Sequence, residues 1–365
     1  LASCSRGERP PTPLLQITEA EATALAEQFR KAALPCDADR VSALVDRDEF
    51  RKRLNERNPD LGDTSIAMIE GLAGSSLIAT KLCGWMGQVE DYKFIRLRTV
   101  DGHIHPILRR STGVSASYHE LELVRSRDDG QVRVADLYSY FKGEWISDDF
   151  ATMAASASKD PSVLATSVTL QKVRSTEDDK PAEALAALDE LPPRMRRLRY
   201  IQGWRVRIAQ SISMDEYSKA LEELFKNFPN DPSVALLQVD HQYFHHNISG
   251  ALHYIDVVDA DIGPDPFLDG TRAMLLAERR EPGDLDLAEK KAQHVAEAEP
   301  GRPIGLWARV SVELARHHWS TALDEMDELK RRFGFKLDDA ALRTAPMFKD
   351  LLETPEYTAW RVTHP

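Results

Sequence analysis

Three cysteines in 365 residues, no apolar run near eighteen residues and no surplus of basic charge mark this chain first by what it lacks. Without an apolar stretch of about 18 residues, no helix of the sequence can cross a bilayer. Lys and Arg number 20 against 24 Asp and Glu in residues 1–158, and 27 against 35 in the remainder, so both parts are net negative. Binding a phosphate backbone needs a basic surplus on one face, which excludes nucleic acid as the main ligand. A Gly-rich phosphate loop after a strand, a nucleophile elbow and a paired-cysteine motif are all missing. An enzyme reading thereby loses its usual support, and no cofactor is indicated. What is present, 42% hydrophobic and 29% charged residues, is an ordinary globular composition on a chain long enough for two or three cores.

Ala184, Ala220, Ala251, Ala288 and Ala322 recur at separations of 36, 31, 37 and 34 residues, each within a short amphipathic stretch. That is the period of helix-hairpin repeats. On this register Ile201 to Pro232 joins a helix carrying Trp204 to one carrying Ala220 and Leu224. The next pairs place Val239 and Tyr243 before Ala251 and Ile255, then Ala273 and Leu276 before Ala288, Ala292 and Val295. A fourth places Leu306 and Val310 before Trp319, Ala322 and Met326, and Pro161 to Leu188 supplies an initial pair. Pro232, Pro264 and Pro300 close units because proline cannot continue a helix. These units resemble tetratricopeptide (TPR) repeats, a resemblance that implies a concave groove for a protein or peptide partner. Leu342, Met347, Phe348, Leu351, Leu352, Tyr357 and Trp360, at helical spacing in residues 337–365, predict capping helices over the last apolar face.

Ahead of the repeats the pattern differs. Ala22, Leu25, Ala26, Phe29 and Ala33 follow helical spacing, with Thr18 and Glu21 as a capping box and Pro35 as the stop. Asp37 or Asp39 starts a second helix, Asp48 to Leu54 adds a turn or two, and Thr64 to Trp85 carries a third. At Tyr92 the period changes to that of strands, broken by turns at Asp101-Gly102 and Asp129-Gly130, which predicts about four antiparallel strands. The stretch from Val134 through Asp136, Tyr138 and Tyr140 to Trp145 and Ser147 resembles the closing strand of the NTF2-like, cystatin-like superfamily. The expected fold class is therefore an α+β N-terminal roll, helices followed by antiparallel sheet, over residues 17–150, joined to an all-α tetratricopeptide-like solenoid of four or five hairpins over 160–336.

Leu1-Ala2-Ser3-Cys4 resembles the lipobox of bacterial lipoproteins. The resemblance implies removal of a signal peptide, lipidation of Cys4, and a Pro-rich tether completing residues 1–16. Ser5 after the cysteine implies passage to the outer membrane, and so a cell-envelope protein facing the periplasm. Cys36 and Cys83 would meet an oxidising compartment there; they could pair, or remain buried free thiols.

On the repeat register Arg205, His241, His245 and Trp307 line the groove, a polar and aromatic set suited to an extended peptide or a protein loop. His241 and His245 also stand at i, i+4, a metal-ligand spacing, but lack the intervening Glu of a zinc-protease helix. His103 and His105 share one face around Ile104, and two histidines do not complete a site. No metal is assigned. The NTF2-like resemblance implies an alternative, an enzyme or small-ligand receptor whose site lies in the cone between helices and sheet, with Asp136, Tyr138 and Tyr140 as base and donors. Arg194, Arg196, Arg197, Arg199, Arg205 and Arg207 form one basic cluster, open to an acidic peptide, phospholipid headgroups or a neighbouring acidic helix. The favoured expectation is a non-enzymatic, membrane-anchored interaction scaffold or adaptor of the bacterial cell envelope, touching the membrane through its N-terminal lipid only.

Overall fold

A computed structural model gives the structure of the chain and describes residues 16–57, 77–86, 89–141, 143–150, 161–229, 234–337 and 339–363. Helix α1 (Glu19–Ala33) opens with the expected capping box, in which Thr18 and Glu21 satisfy each other's backbone N–H groups. Asp37 caps α2 (Ala38–Ala43), and α3 (Arg47–Arg57) and α4 (Leu77–Met86) follow. The first part of the helix expected from Thr64 lies outside the described residues, as do Cys4 and Pro232.

Cys36, at φ +56°, forms a disulfide with Cys83 of α4, with the two Cα atoms 5.3 Å apart. The pairing that spacing left open is thus made. Closing a loop with a sequence separation of 47, it stabilises the N-terminal part by about 4 kcal/mol on the chain-entropy account.

Five antiparallel strands succeed one another in chain order: β1 (Asp91–Val100), β2 (His103–Thr112), β3 (Ser115–Arg125), β4 (Val132–Ser139) and β5 (Glu144–Trp145). Asp101 and Gly102 both adopt positive φ, as the tight β1–β2 turn demands. Pairing of β2 with β3 begins at Ile107, one residue past Pro106, which has no N–H to contribute. The expected count of four strands rises to five because Gly143, at φ +66°, turns the chain back for the two residues of β5. One face of the sheet, with Tyr92, Leu108, Leu121, Val134 and Leu137, packs on Leu25, Phe29, Val41 and Leu82 of the N-terminal helices.

The rest is helical: α5 (Pro161–Thr176), α6 (Pro181–Asp189), α7 (Pro193–Arg196), α8 (Arg199–Ile212), α9 (Met214–Asn227), α10 (Ala235–Phe244), α11 (Ile248–Ile262), α12 (Pro266–Arg279), α13 (Asp284–Ala298), α14 (Ile304–Ala315) and α15 (Trp319–Phe333). Successive helices pack on each other, and α12 also packs on α14. Small residues permit this. A Cβ on Gly305 of α14 would come within 2.7 Å of the Ala296 backbone, and one on Gly270 of α12 within 2.5 Å of Ile304. Helix α16 (Asp339–Thr344), two single 3-10 turns and α17 (Pro355–Thr363) bring Leu342, Phe348, Leu351 and Tyr357 against α14 and α15.

Candidate functional site

Three of the four expected groove residues gather around α9. Ser213 caps this helix, and its apolar face (Tyr217, Ala220, Leu221, Leu224, Phe225) is buried, leaving Glu222 and Glu223 to reach its neighbours. Arg205 of α8 pairs with Asp189 and stands 3.7 Å from Glu223, which also accepts from Gln202 at 3.2 Å. On the other side Nε2 of His245 lies 3.5 Å from Glu222. The His241 ring is held edge-on between Phe225 and His245, at centroid distances of 4.9 and 4.5 Å. Burial, and then the neighbouring His245, lower the His241 pKa, so this ring favours its neutral form. Below it Tyr217 donates to Asp240 at 2.8 Å, and burial raises the carboxyl of Asp240 against that bond. The result is a surface of donors and acceptors with aromatic edges, with His245 exposed at its rim. It can hydrogen-bond a polypeptide laid across α8 and α10.

Trp307 is elsewhere. Its ring packs on Phe335 and Phe348, at centroid distances of 5.5 and 6.3 Å, beneath the C-terminal cap. A large apolar ring next to the uncovered end of a helical stack finds its burial there rather than in a groove.

The residues of the alternative site do not meet in the cone. The space between the N-terminal helices and the sheet is filled by apolar side chains such as Phe29 and Leu82. Tyr138 and Tyr140 meet each other edge to face at 5.2 Å and pack with the helical region instead. The Asp136 carboxylate is fully buried and accepts from Oγ and N of Ser147, at 2.5 and 3.3 Å. His103 is exposed, while Nδ1 of His105 lies 2.6 Å from Glu120, so the pair does not act together. Among the described residues no group of three His, Cys, Asp or Glu is placed to hold a metal ion.

The most concentrated polar chemistry lies away from every expected site, in the seam between the sheet's other face and the loops α11–α12 and α13–α14. Arg109 of β2 is fully buried between Asp265, at 2.5 Å, and Glu299, at 3.0 Å, with its guanidinium over Phe267. Asp265 caps α12, and its second oxygen accepts from the Tyr118 hydroxyl at 2.7 Å. Burial opposes the charge on Arg109, but Asp265 and Glu299 outweigh it and raise its pKa. Burial likewise opposes ionisation of Glu299, and Lys93 with Arg109 overcome it. Alongside, Arg98 spans from Glu120 and Tyr140 on the sheet to Asp261 at the end of α11. Arg302 bonds Ser111 and pairs with Glu90.

No protein-family model, curated protein or solved structure matches this chain. Its function is therefore read from its own geometry. No local motif announces the seam, but a long buried strand with Arg109 beside Leu108 and Ile107 is a signal that a carboxylate must arrive from elsewhere.

Proposed function

We propose that the chain is a non-enzymatic interaction scaffold of the bacterial cell envelope, anchored by a lipid on Cys4 and binding a protein or peptide across a tetratricopeptide-like solenoid. The observation that carries the reading is a regular alternation in the helical region. The α11–α12 and α13–α14 connections both meet the sheet. The intervening α10–α11, α12–α13 and α14–α15 connections make no hydrogen bond or ion pair to it among the described residues. Up-down hairpins stacked side by side behave this way, and the packing of α12 on α14 supports the same arrangement. The Cys36–Cys83 disulfide supports an oxidising compartment. The Arg205, His241 and His245 surface is the docking face this reading favours.

Crosslinking pull-down tests the docking face. The variant His241→Glu/His245→Glu should lose a protein that the parent retains, with its helical circular dichroism unchanged. An identical set of captured proteins would remove this face from consideration. In the precursor, Cys4→Ala should move the chain from the membrane fraction to the soluble one, and retention at the membrane would sink the lipid anchor.

A further inference from the structure

Between Leu191 and Met214 the chain carries six arginines and no acidic residue. Arg205 and Arg207 reach back to Asp189 and Glu177, and Arg199 lies over the Phe228 ring. The remaining three stand together on and just after α7, where Pro193 begins a single helical turn. Among the described residues the side chains of Arg194, Arg196 and Arg197 meet no carboxylate. Arg194 and Arg197 are exposed; Arg196 is half-buried, its Nε shielded from water without a hydrogen-bond partner. Several other arginines of the helical region are neutralised by acids. Arg272 is held by three carboxylates, and Arg279 and Arg316 by two each.

Three guanidinium groups without acids, in a molecule of net charge −12, are open to an external anion. The surface also lacks what a folded protein partner needs. Among the described residues of the segment 169–213 no large apolar side chain is exposed to accompany the charge. A plane of phosphate headgroups needs no anchor, only forked donors.

We propose that the α7 corner binds the phosphate headgroups of an anionic membrane surface through Arg194, Arg196 and Arg197. This contact acts beside an acyl chain and does not require one. A basic cluster and a lipid chain contribute separately to holding a protein at an anionic surface.

The test is flotation of the full-length, unacylated chain with vesicles of phosphatidylcholine alone or with one third phosphatidylglycerol, at low salt. Binding is expected only to the anionic vesicles, and should fall about a hundredfold in Arg194→Ser/Arg196→Ser/Arg197→Ser. The control Lys226→Ser/Lys290→Ser/Lys330→Ser removes the same charge from exposed positions elsewhere and should bind like the parent. Should the triple arginine variant misfold, Arg194→Ser/Arg197→Ser alters only exposed side chains and should still weaken binding. Equal binding by the arginine variants, or indifference to phosphatidylglycerol, would overturn the proposal. So would displacement by millimolar inorganic phosphate, which marks a small-anion site, or capture of poly-glutamate without vesicle binding, which marks an acidic protein surface. Because the chain tested carries no lipid, failure here leaves the scaffold and lipid-anchor reading untouched.

Discussion

The two faces of the sheet meet helices by different physics. Toward α1–α4 the contact is made by Tyr92, Leu108, Leu121 and Leu137 on Phe29 and Leu82. Toward the helical region Ile107, Tyr118 and Tyr140 are apolar neighbours of a chain of charges, Lys93, Arg98, Arg109 and Glu120 facing Asp261, Asp265 and Glu299. An apolar contact is non-directional and is limited by fit and area. A buried ion network is directional, and adds little net stability because desolvation opposes the attraction. The inner face therefore supplies most of the cohesion, while the outer face fixes where the helical region sits.

The largest effect expected on this contrast comes from the apolar side. Phe29→Ala should lower the free energy of unfolding by about 4 kcal/mol through cavity formation, seen as a shifted urea midpoint. A loss below a quarter of that would mean that the N-terminal helices are not the main support. Next comes the ionic side. Arg109→Ala leaves Asp265 and Glu299 buried without their cation and should cost about 3 kcal/mol. It should also separate the transition followed by near-ultraviolet signals of the sheet tyrosines from that followed by helical circular dichroism. Coincident transitions in this variant would show that the seam does not couple the two regions.

The smallest effect is the response to acid. Glu120 and Glu299 are held below the ordinary glutamate range, by His105 and Arg98 in one case and Lys93 and Arg109 in the other, against the opposing effect of burial. Their contribution is complete above roughly pH 4.5, the unfolded value, and is lost as pH falls through the lowered folded values. An acid titration in which Arg109→Ala and the parent keep a constant difference in stability down to pH 2 would contradict this, since protonation must erase the term in both.

Helices were legible where the 3.6-residue period was long and capped: Thr18 with Glu21, and the alanine register from Ala220 to Ala322, fall on α1 and on α9, α11, α13 and α15. The proximity of His241 and His245 was legible too, because i, i+4 neighbours share a helical face. The seam was not. Glu120 and Glu122 alternate with Leu121 and Leu123, yet Glu120 is only 6% exposed, held by His105, Arg98 and Tyr140. Alternation reports that two faces differ and is silent on what covers the polar one. Trp307 departs from its expected place for the same reason, since its partner Phe348 comes from another element.

Gly263 carries the last consequence. At φ +83°, which side chains rarely adopt, a Cβ there would also fall 1.4 Å from Nη1 of Arg96, so a side chain would strain the α11–α12 loop and displace Arg96 where the loop meets β1. The α11–α12 loop is thus closed to a side chain at this point, while the loops at 245–247, 280–283 and 316–318 make no polar contact with the sheet among the described residues. New binding specificities could be added by lengthening those loops, leaving the fit between sheet and helices unchanged.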